Sequence, residues 1–534
     1  LLYNTAHTNY KTMKKITLAL AAALLSLGAY AQTITTIAGV GPGYGYSGDH
    51  GPATAAKLHT PLPTKVDVYG NVFFSDHDNN VIRKIDGAGV ITTIAGNGTA
   101  GYSGDGAAAT AAMLYGPNNL AFDKDGNLFF ADEGNNVIRE IDLSGVITTV
   151  AGTNVPGYNG DNIPATAAML SEPTAVAFDS SWNMYIADVA NGRVRMVNSS
   201  GIITTIAGVG TFGFSGDGGP ATAAMIDGII TMSFNAAGEM IAVDQSNYRI
   251  RKISGGIITT IAGNGDAAYS MDGVPATATG MFPSTTTFDK AGNLWICDAY
   301  NNRVRMVNSA GIISTVVGTG AAGYSGDGGP ATAAELSTPS GVTFDICGNF
   351  YISDQANNVI RKVIYFTGMP AITGAPVVNV GAMDTLSIAQ MDGTWSSSSS
   401  TIATVGGSGI VMGLAAGIDT ITYTNMCGSQ TFVVTVHSST GIENRSNETV
   451  FSIVPNPSSG EITVSATLAG TNNSAATLDI LDMTGRKVYT DFLPINNGSI
   501  NSHITLDGSI ANGLYIIKVR ANDVNKAIQF SLYR

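Results

Sequence analysis

Between Gln32 and Tyr365 the chain alternates short apolar runs with turns bearing glycine and aspartate, and the same order recurs six times. In the second copy Leu120–Asp123 is an apolar run, Lys124-Asp125-Gly126-Asn127 a turn, and Leu128–Asp132 a second run. Glu133–Asn136 is a short loop, Val137–Ile141 a third run, Asp142–Gly145 a turn, and Val146–Ala151 a fourth run. Brief runs rich in Val, Ile, Phe and Thr between turn residues predict β-strands. Gly126, Gly292 and Gly348 give the hairpins the positive φ they need. The fourth run is nearly invariant. Ile-Thr-Thr-Ile-Ala-Gly at Ile34–Gly39 returns at Ile91, Ile147, Ile203, Ile258 and Ile313, closing on Gly96, Gly152, Gly208, Gly263 and Gly318. Four short antiparallel strands per copy, met six times, predict a six-bladed β-propeller.

The ends of the repeat array predict how the ring closes. The array opens on a lone fourth strand, Thr33–Gly39, and finishes with Val342–Asp345, Phe350–Asp354 and Val359–Ile364 and no fourth strand. Thr33–Gly39 is therefore expected to complete the last blade and remove the open edges.

Loops between second and third strands share a face with the connections from one blade to the next. These connections are long and patterned: Tyr46-Ser-Gly-Asp49, Tyr102-Ser-Gly-Asp105, Tyr158-Asn-Gly-Asp161, Phe214-Ser-Gly-Asp217, Tyr269-Ser-Met-Asp272 and Tyr324-Ser-Gly-Asp327. An Ala-Thr-Ala run follows each, often behind proline, and reads as one short helical turn. The opposite face carries only tight turns, so a pocket is expected on the long-loop face near the central channel.

Two kinds of residue compete for the functional role there. Asp76, Asp132, Asp188, Asp244, Asp298 and Asp354 recur in every copy, as do Arg83, Arg139, Arg195, Arg251, Arg305 and Arg361. Rings of carboxylates suit calcium or magnesium. A residue needed identically in every blade more often serves each blade, by binding loop amides or pairing Asp with Arg. Copy-specific residues are the better ligand-binding candidates: His50, His59, His77 and Asp78, with Lys57, all in the first copy. Tyr46, Tyr102, Tyr158 and Tyr324 join them as aromatic groups on the long-loop face. Three His could hold zinc, but their spacing matches no local ligand motif. No cofactor is predicted, calcium being the cation such oxygens would take, and whether any metal binds stays open.

Composition narrows the class. The 534 residues are glycine-rich (65 Gly), sparsely charged (12%), and carry a net charge of −13. Such length exceeds one ordinary core. An acidic surface argues against nucleic acid and anionic membranes. Met13-Lys14-Lys15, the apolar Ile16–Leu27 and Ala29-Tyr30-Ala31 have the three parts of a secretory signal peptide, with Leu1–Thr12 an upstream extension. No segment of the mature chain is expected to span a membrane. Cys297, Cys347 and Cys427 are odd in number and scattered, so no disulfide framework is expected.

The Asp-x-x-Asn-Asn-x-Ile/Val-Arg segments Asp76–Arg83, Asp132–Arg139, Asp188–Arg195, Asp244–Arg251, Asp298–Arg305 and Asp354–Arg361 resemble NHL repeats, a propeller family. The third and fourth copies depart from the pattern, reading Asn191-Gly192 and Asn247-Tyr248. Some propellers of this kind are metal-dependent lyases or lactonases, which implies ligands from several blades. Copies two to six contain no His, and neither a Gly-x-Ser-x-Gly nor a His-Glu-x-x-His motif occurs.

Beyond the repeats, Thr394–Ser398, Ile402–Val405 and Ile421–Tyr423 resemble a bacterial Ig-like domain, with Trp395 as its expected packed core residue. Pro455-Asn456-Pro457, Gly460, Leu478–Val488 and Asn512–Ile516 resemble the C-terminal sorting domain of type IX secretion substrates. That resemblance implies the type IX machinery as a partner, a secreted or outer-surface location, and a source in the Bacteroidota. The expected fold is all-β, a six-bladed propeller followed by two small β-sandwiches. The expected segments are 1–31 upstream extension and signal peptide, 32–366 propeller, 367–437 Ig-like domain, 438–450 linker and 451–534 sorting domain. The expected function is binding a glycan, peptide or protein partner. A divalent-cation-dependent lyase or hydrolase and a structural surface component are the alternatives.

Overall fold

The computed structural model describes residues 32–365, 369–389, 393–425, 427–438, 451–467, 475–521 and 524–534. The expected upstream extension and signal peptide at 1–31, and all but the first residue of the linker expected at 438–450, lie outside them. The described residues gather into two compact units. One holds the propeller with Ser387–Trp395 and Thr422–Thr431, and the other holds Gly374–Leu386, Ser396–Ile421 and Phe432 onwards.

Six antiparallel sheets make the propeller. Blade two consists of Pro117–Phe122, Leu128–Asp132, Val137–Ile141 and Val146–Ala151, innermost strand first, with Ala107–Ala108 added outside. The innermost strand thus begins three residues before the apolar run at Leu120, at a proline whose missing N–H suits a strand start. Thr33–Ala38 pairs with Val359–Ile364 in the order Thr33 to Ile364, Ile34 to Val363 and Thr36 to Arg361, so the first strand of the chain completes blade six. Ile34 is fully buried there, beside Trp295, Phe350 and Val363.

Adjacent blades meet through aromatic pairs. Phe73 meets Phe122 at 5.1 Å, Phe129 meets Phe178 at 5.0 Å, Tyr185 meets Phe234 at 5.0 Å and Trp295 meets Phe344 at 5.1 Å, all near edge-to-face. Each contributes about 0.5–1.5 kcal/mol beyond its buried area.

Between Val377 and His437 lie a four-stranded and a three-stranded sheet. Two expectations change here. Cys347 and Cys427 form a disulfide with Cα atoms 5.3 Å apart, where the odd and scattered cysteines lead to the expectation of no disulfide framework; the fold brings together residues 80 apart in sequence. Cys297 remains free and buried. Trp395 is only half-buried, edge-on to Tyr423 at 4.9 Å, and Tyr423 is the aromatic ring that is fully enclosed. The last domain packs a three-stranded sheet with a four-stranded one around Ile462, Val464, Leu478, Ile480, Ile517 and Leu532.

Candidate functional site

The repeated residues form the same cluster in each blade. Asp76 sits at the end of its strand, fully buried, and its Oδ1 accepts the backbone N–H of His59 at 2.6 Å. In the other blades the donors are Tyr115, Ser171, Asp227, Phe282 and Ser337, at 2.7–2.8 Å. The second oxygen of Asp76 accepts from Arg83 Nη1 at 3.2 Å. Arg83 Nη2 reaches Asp49 at 2.8 Å and the Ser47 carbonyl at 3.2 Å. Arg139, Arg195, Arg251, Arg305 and Arg361 each bridge the corresponding two carboxylates. Burial pushes the Asp76, Asp132 and Asp354 carboxyls up to about 6, against the amide and guanidinium donors that favour the charged form. Burial raises Asp188, Asp244 and Asp298 as well.

Tyr46, Tyr102, Tyr158 and Tyr324 roof these arginines, with the guanidinium carbon 5.0, 5.1, 4.9 and 5.5 Å from the ring centre. Phe214 and Tyr269 do the same in their blades. The Tyr46 hydroxyl donates to Asp49 at 2.9 Å and meets Thr93 at 2.9 Å. None of the four tyrosines lines the pocket described below.

Five of the repeated Asp are followed by a single 3-10 turn, and Asp244 by a plain turn, each ending in a left-handed residue such as Asn80 with φ +55°. Asn80 Oδ1 accepts the N–H of Gly116 in the next blade at 3.0 Å. Asn136 binds Glu172, Asn302 binds Thr338 and Asn358 binds Thr60 in the same way, at 2.9–3.0 Å. Gly192 and Tyr248 occupy this place in the two departing copies and keep only the positive φ.

This repeated frame presents variable side chains around the channel mouth. After the repeated Asp come His77-Asp78, Glu133-Gly134, Val189-Ala190, Gln245-Ser246, Ala299-Tyr300 and Gln355-Ala356. A pocket of about 380 Å³ opens among them, lined by Tyr44, His59 and Thr60 of blade one, Tyr300 of blade five, and Thr338 and Gln355 of blade six. Tyr44 and Tyr300 are largely exposed, at 68% and 66%. Tyr44 stacks on His59 at 4.7 Å and Tyr300 on Phe282 at 4.0 Å, so neighbouring rings hold each exposed ring in place.

The structure brings His59, His77 and Asp78 together and leaves His50 apart. The Asp78 carboxylate accepts from Thr60 at 2.6 Å and lies 2.8 Å from His77 Nδ1 and 3.4 Å from His59 Nε2. His77 also approaches Glu133 of blade two at 3.8 Å. Burial alone would lower the His77 pKa, but the Glu133 and Asp78 carboxylates hold it above its ordinary value. His50 has φ +63° in a turn, and its N–H donates to the Ile91 carbonyl on the fourth strand of blade one. Gly106, Asn162, Gly218, Gly273 and Gly328 take its place elsewhere, so its local role is that of a turn residue. Among the described residues, no three His, Cys, Asp or Glu are arranged to hold a metal ion.

Sequence reasoning missed Tyr44, Thr60, Tyr300, Thr338 and Gln355. Aligning the copies would have exposed Tyr300, which replaces Asp78, Gly134, Ala190, Ser246 and Ala356, and Tyr44, which replaces Ala100, Pro156, Phe212, Ala267 and Ala322.

A family model for the secretion system C-terminal sorting domain matches residues 452–530, and one for the teneurin NHL domain matches 98–159. Teneurin-1 of Mus musculus is 31% identical over 234 residues, 39% of this chain and 8% of that protein. The chain therefore spans less than a tenth of that relative's length. Among solved structures, a structural genomics protein of unknown function from Bacteroides thetaiotaomicron gives a TM-score of 0.48 at 20% identity, covering 62% of this chain and 76% of that one. An auxiliary nutrient binding protein from Bacteroides ovatus gives 0.47 at 14%, covering 63% and 77%. The sorting domain directs the protein to the cell surface or the medium. Among the described residues no helix is long and apolar enough to cross a membrane. The repeated cluster and the matched segments make the chain an NHL-type β-propeller protein ending in a type IX secretion sorting domain.

Proposed function

We propose that this exported protein is a binding module whose pocket at the seam of blades one and six takes a saccharide unit of a glycan. The carrying observation is the gathering of two exposed, braced tyrosines with polar side chains around 380 Å³ on the long-loop face. That volume lies in the range of small-ligand sites. A sugar ring presents an apolar face of C–H groups, which packs on an aromatic ring, and an edge of hydroxyls, which need donors and acceptors. Tyr44 and Tyr300 offer the first, and Thr60, Thr338 and Gln355 the second.

Backbone strain supports the same place. Thr60 and Thr338 hold φ of +57° and +49°, a conformation that costs a β-branched residue about 1–3 kcal/mol. Gly116 and Gly228 fill the corresponding position in blades two and four without that cost, while Glu172 holds φ +48° in blade three, away from the pocket. The chain keeps a hydroxyl at the pocket at the expense of local stability.

The secreted chain should bind a subset of a glycan array, and Tyr44→Ala and Tyr300→Ala should each weaken that binding about tenfold, the loss of roughly 1.4 kcal/mol. Peptides captured in place of glycans, or glycan binding indifferent to both substitutions, would overturn the reading.

A further inference from the structure

The residue that donates its N–H to the repeated Asp carries a ring in three blades: Phe282 in blade five, His59 in blade one and Tyr115 in blade two. Blades three, four and six have Ser171, Asp227 and Ser337 there. Phe282 and His59 brace the two tyrosines of the pocket. Tyr115 lies outside the pocket lining and is itself 52% exposed.

Tyr115 is nonetheless held in place. Its N–H donates to Asp132 at 2.8 Å, and its carbonyl accepts from the Gly134 N–H at 2.9 Å. Gly134 stands within the 3-10 turn Glu133–Asn135, where no positive φ calls for glycine. A β-carbon there would lie 2.5 Å from the Tyr115 ring, closer than such atoms approach. Asp78, Ala190, Ser246, Tyr300 and Ala356 fill the same place in the other blades. Blade two gives up a side chain, and the ring of Tyr115 is pinned against its turn while half of the residue stays open.

A polar path joins this ring to the pocket. His59 of the pocket wall lies 3.4 Å from Asp78, Asp78 lies 2.8 Å from His77, and His77 lies 3.8 Å from Glu133, the neighbour of Gly134. A β-carbon on Gly116, next after Tyr115, would come within 3.0 Å of the His77 ring. Among the described residues neither Asp78 nor Glu133 pairs with lysine or arginine. Such carboxylates accept hydrogen bonds from hydroxyls and repel anionic groups.

We propose that Tyr115 is an outlying sugar site, and that the ligand is a neutral oligosaccharide running from the pocket past Asp78 and Glu133 to this ring. The inference rests on the glycan reading of the pocket. The pocket, at about 380 Å³, encloses a saccharide unit, so only a longer chain reaches both places. Once one end is seated, the second contact forms within the complex.

Affinities of the secreted chain should be measured for disaccharides and octasaccharides of neutral glucan, mannan and xylan, with oligogalacturonides as the anionic counterpart. In the neutral series that binds, the octasaccharide should hold about tenfold tighter than the disaccharide. Tyr115→Ala should remove that gain and leave disaccharide binding unchanged. Gly134→Ala, which installs the residue of blades three and six, should do the same by displacing the ring, while Tyr115→Trp should keep the gain. Tyr44→Ala should weaken both lengths alike, which checks the pocket separately. Disaccharide binding that needs Tyr44 but gains nothing with length, or gains as much in Tyr115→Ala, would overturn the outlying site and leave the pocket reading intact. Preference for the oligogalacturonides would overturn the neutral assignment. Binding of none of these saccharides at either length would remove the pocket reading and this inference together.

Discussion

The hydroxyls of Thr36 and Tyr324 meet at 2.8 Å although 288 residues of chain separate them. The same contact joins Tyr46 to Thr93 and Tyr102 to Thr149, each time between a connection and the fourth strand of its blade. Thr36 N–H also donates to Asp327 at 3.0 Å, and Asp327 in turn holds Arg361. The opening strand thus restores the hydrogen-bonded cluster of blade six as well as its sheet edge.

Removing residues 32–39 should open the ring. Ile34→Ala alone should cost about 2–4 kcal/mol, because it empties a buried site between Trp295 and Val363. The deletion should lower the melting temperature of the propeller by about 5 °C or more. An unchanged melt for the deletion would mean that the other three strands of blade six close the ring unaided.

Asp132→Ala should destabilise its blade by about 2–4 kcal/mol, since the Tyr115 N–H and the Asn135 amide lose an acceptor and buried Arg139 loses one of two counter-charges. Tyr44→Ala and Tyr300→Ala should shift the melt by less than about 0.5 kcal/mol, as both rings are largely exposed. Chemical denaturation of the three variants separates the frame from the surface it presents. A thermally silent Asp132→Ala would show that the repeated carboxylates do not hold the blades.

The blades and their closing strand were legible because the Ile-Thr-Thr-Ile-Ala-Gly strand and the Asp-to-Arg spacing recur. Repetition fixes what is common to the copies, and the Asp76–Arg83 cluster is common to all. The pocket is built from what the copies do not share, and its residues are distant in sequence: Tyr44, His59, Tyr300 and Gln355 meet only because the ring closes. A search confined to copy one found His59 and His77 but could not pair them with Tyr300. The Cys347–Cys427 bond was hidden for a related reason, since no period links a turn of blade six to a hairpin beyond the repeats.

His77 supplies a pH-dependent test. Its folded pKa is raised, so its contribution is complete below the unfolded value of about 6.5 and fades as pH rises through the higher folded value. The partners are partly exposed, which limits the effect to about 0.5–1 kcal/mol. His77→Gln should therefore be less stable than wild type at pH 5.5 and indistinguishable from it at pH 8.5. Equal stability differences at both values would show that the imidazole acts without its charge.

The disulfide should be worth about 2–4 kcal/mol to the segment it ties, because it closes a loop of 80 residues. Alkylation of the denatured chain without reductant should label one cysteine, Cys297, and alkylation of the denatured and reduced chain should label three. Cys427→Ser should make the chain around Thr422–Thr431 more sensitive to protease while the propeller melt stays within about 1 kcal/mol. Three labelled cysteines before reduction would show that the bond is absent from the secreted protein.

Thr338→Gly tests whether strain at the pocket is kept for function. Glycine takes φ +49° without steric cost, so relief of about 1–2 kcal/mol competes with a loss of about 0.5–1 kcal/mol from its greater freedom in the unfolded chain. The net should be a gain of about 0.5–1 kcal/mol in stability. The bond from residue 338 N–H to Asn302 survives, since it needs only the backbone. Glycan affinity should fall at the same time, because the hydroxyl that lines the pocket is gone. Opposite movement of stability and affinity is the signature of a residue retained for binding, and denaturation curves beside titrations on the same protein would reveal it. If stability rises and affinity holds, the threonine is incidental and the polar edge of the site must be sought at Gln355 and Thr60.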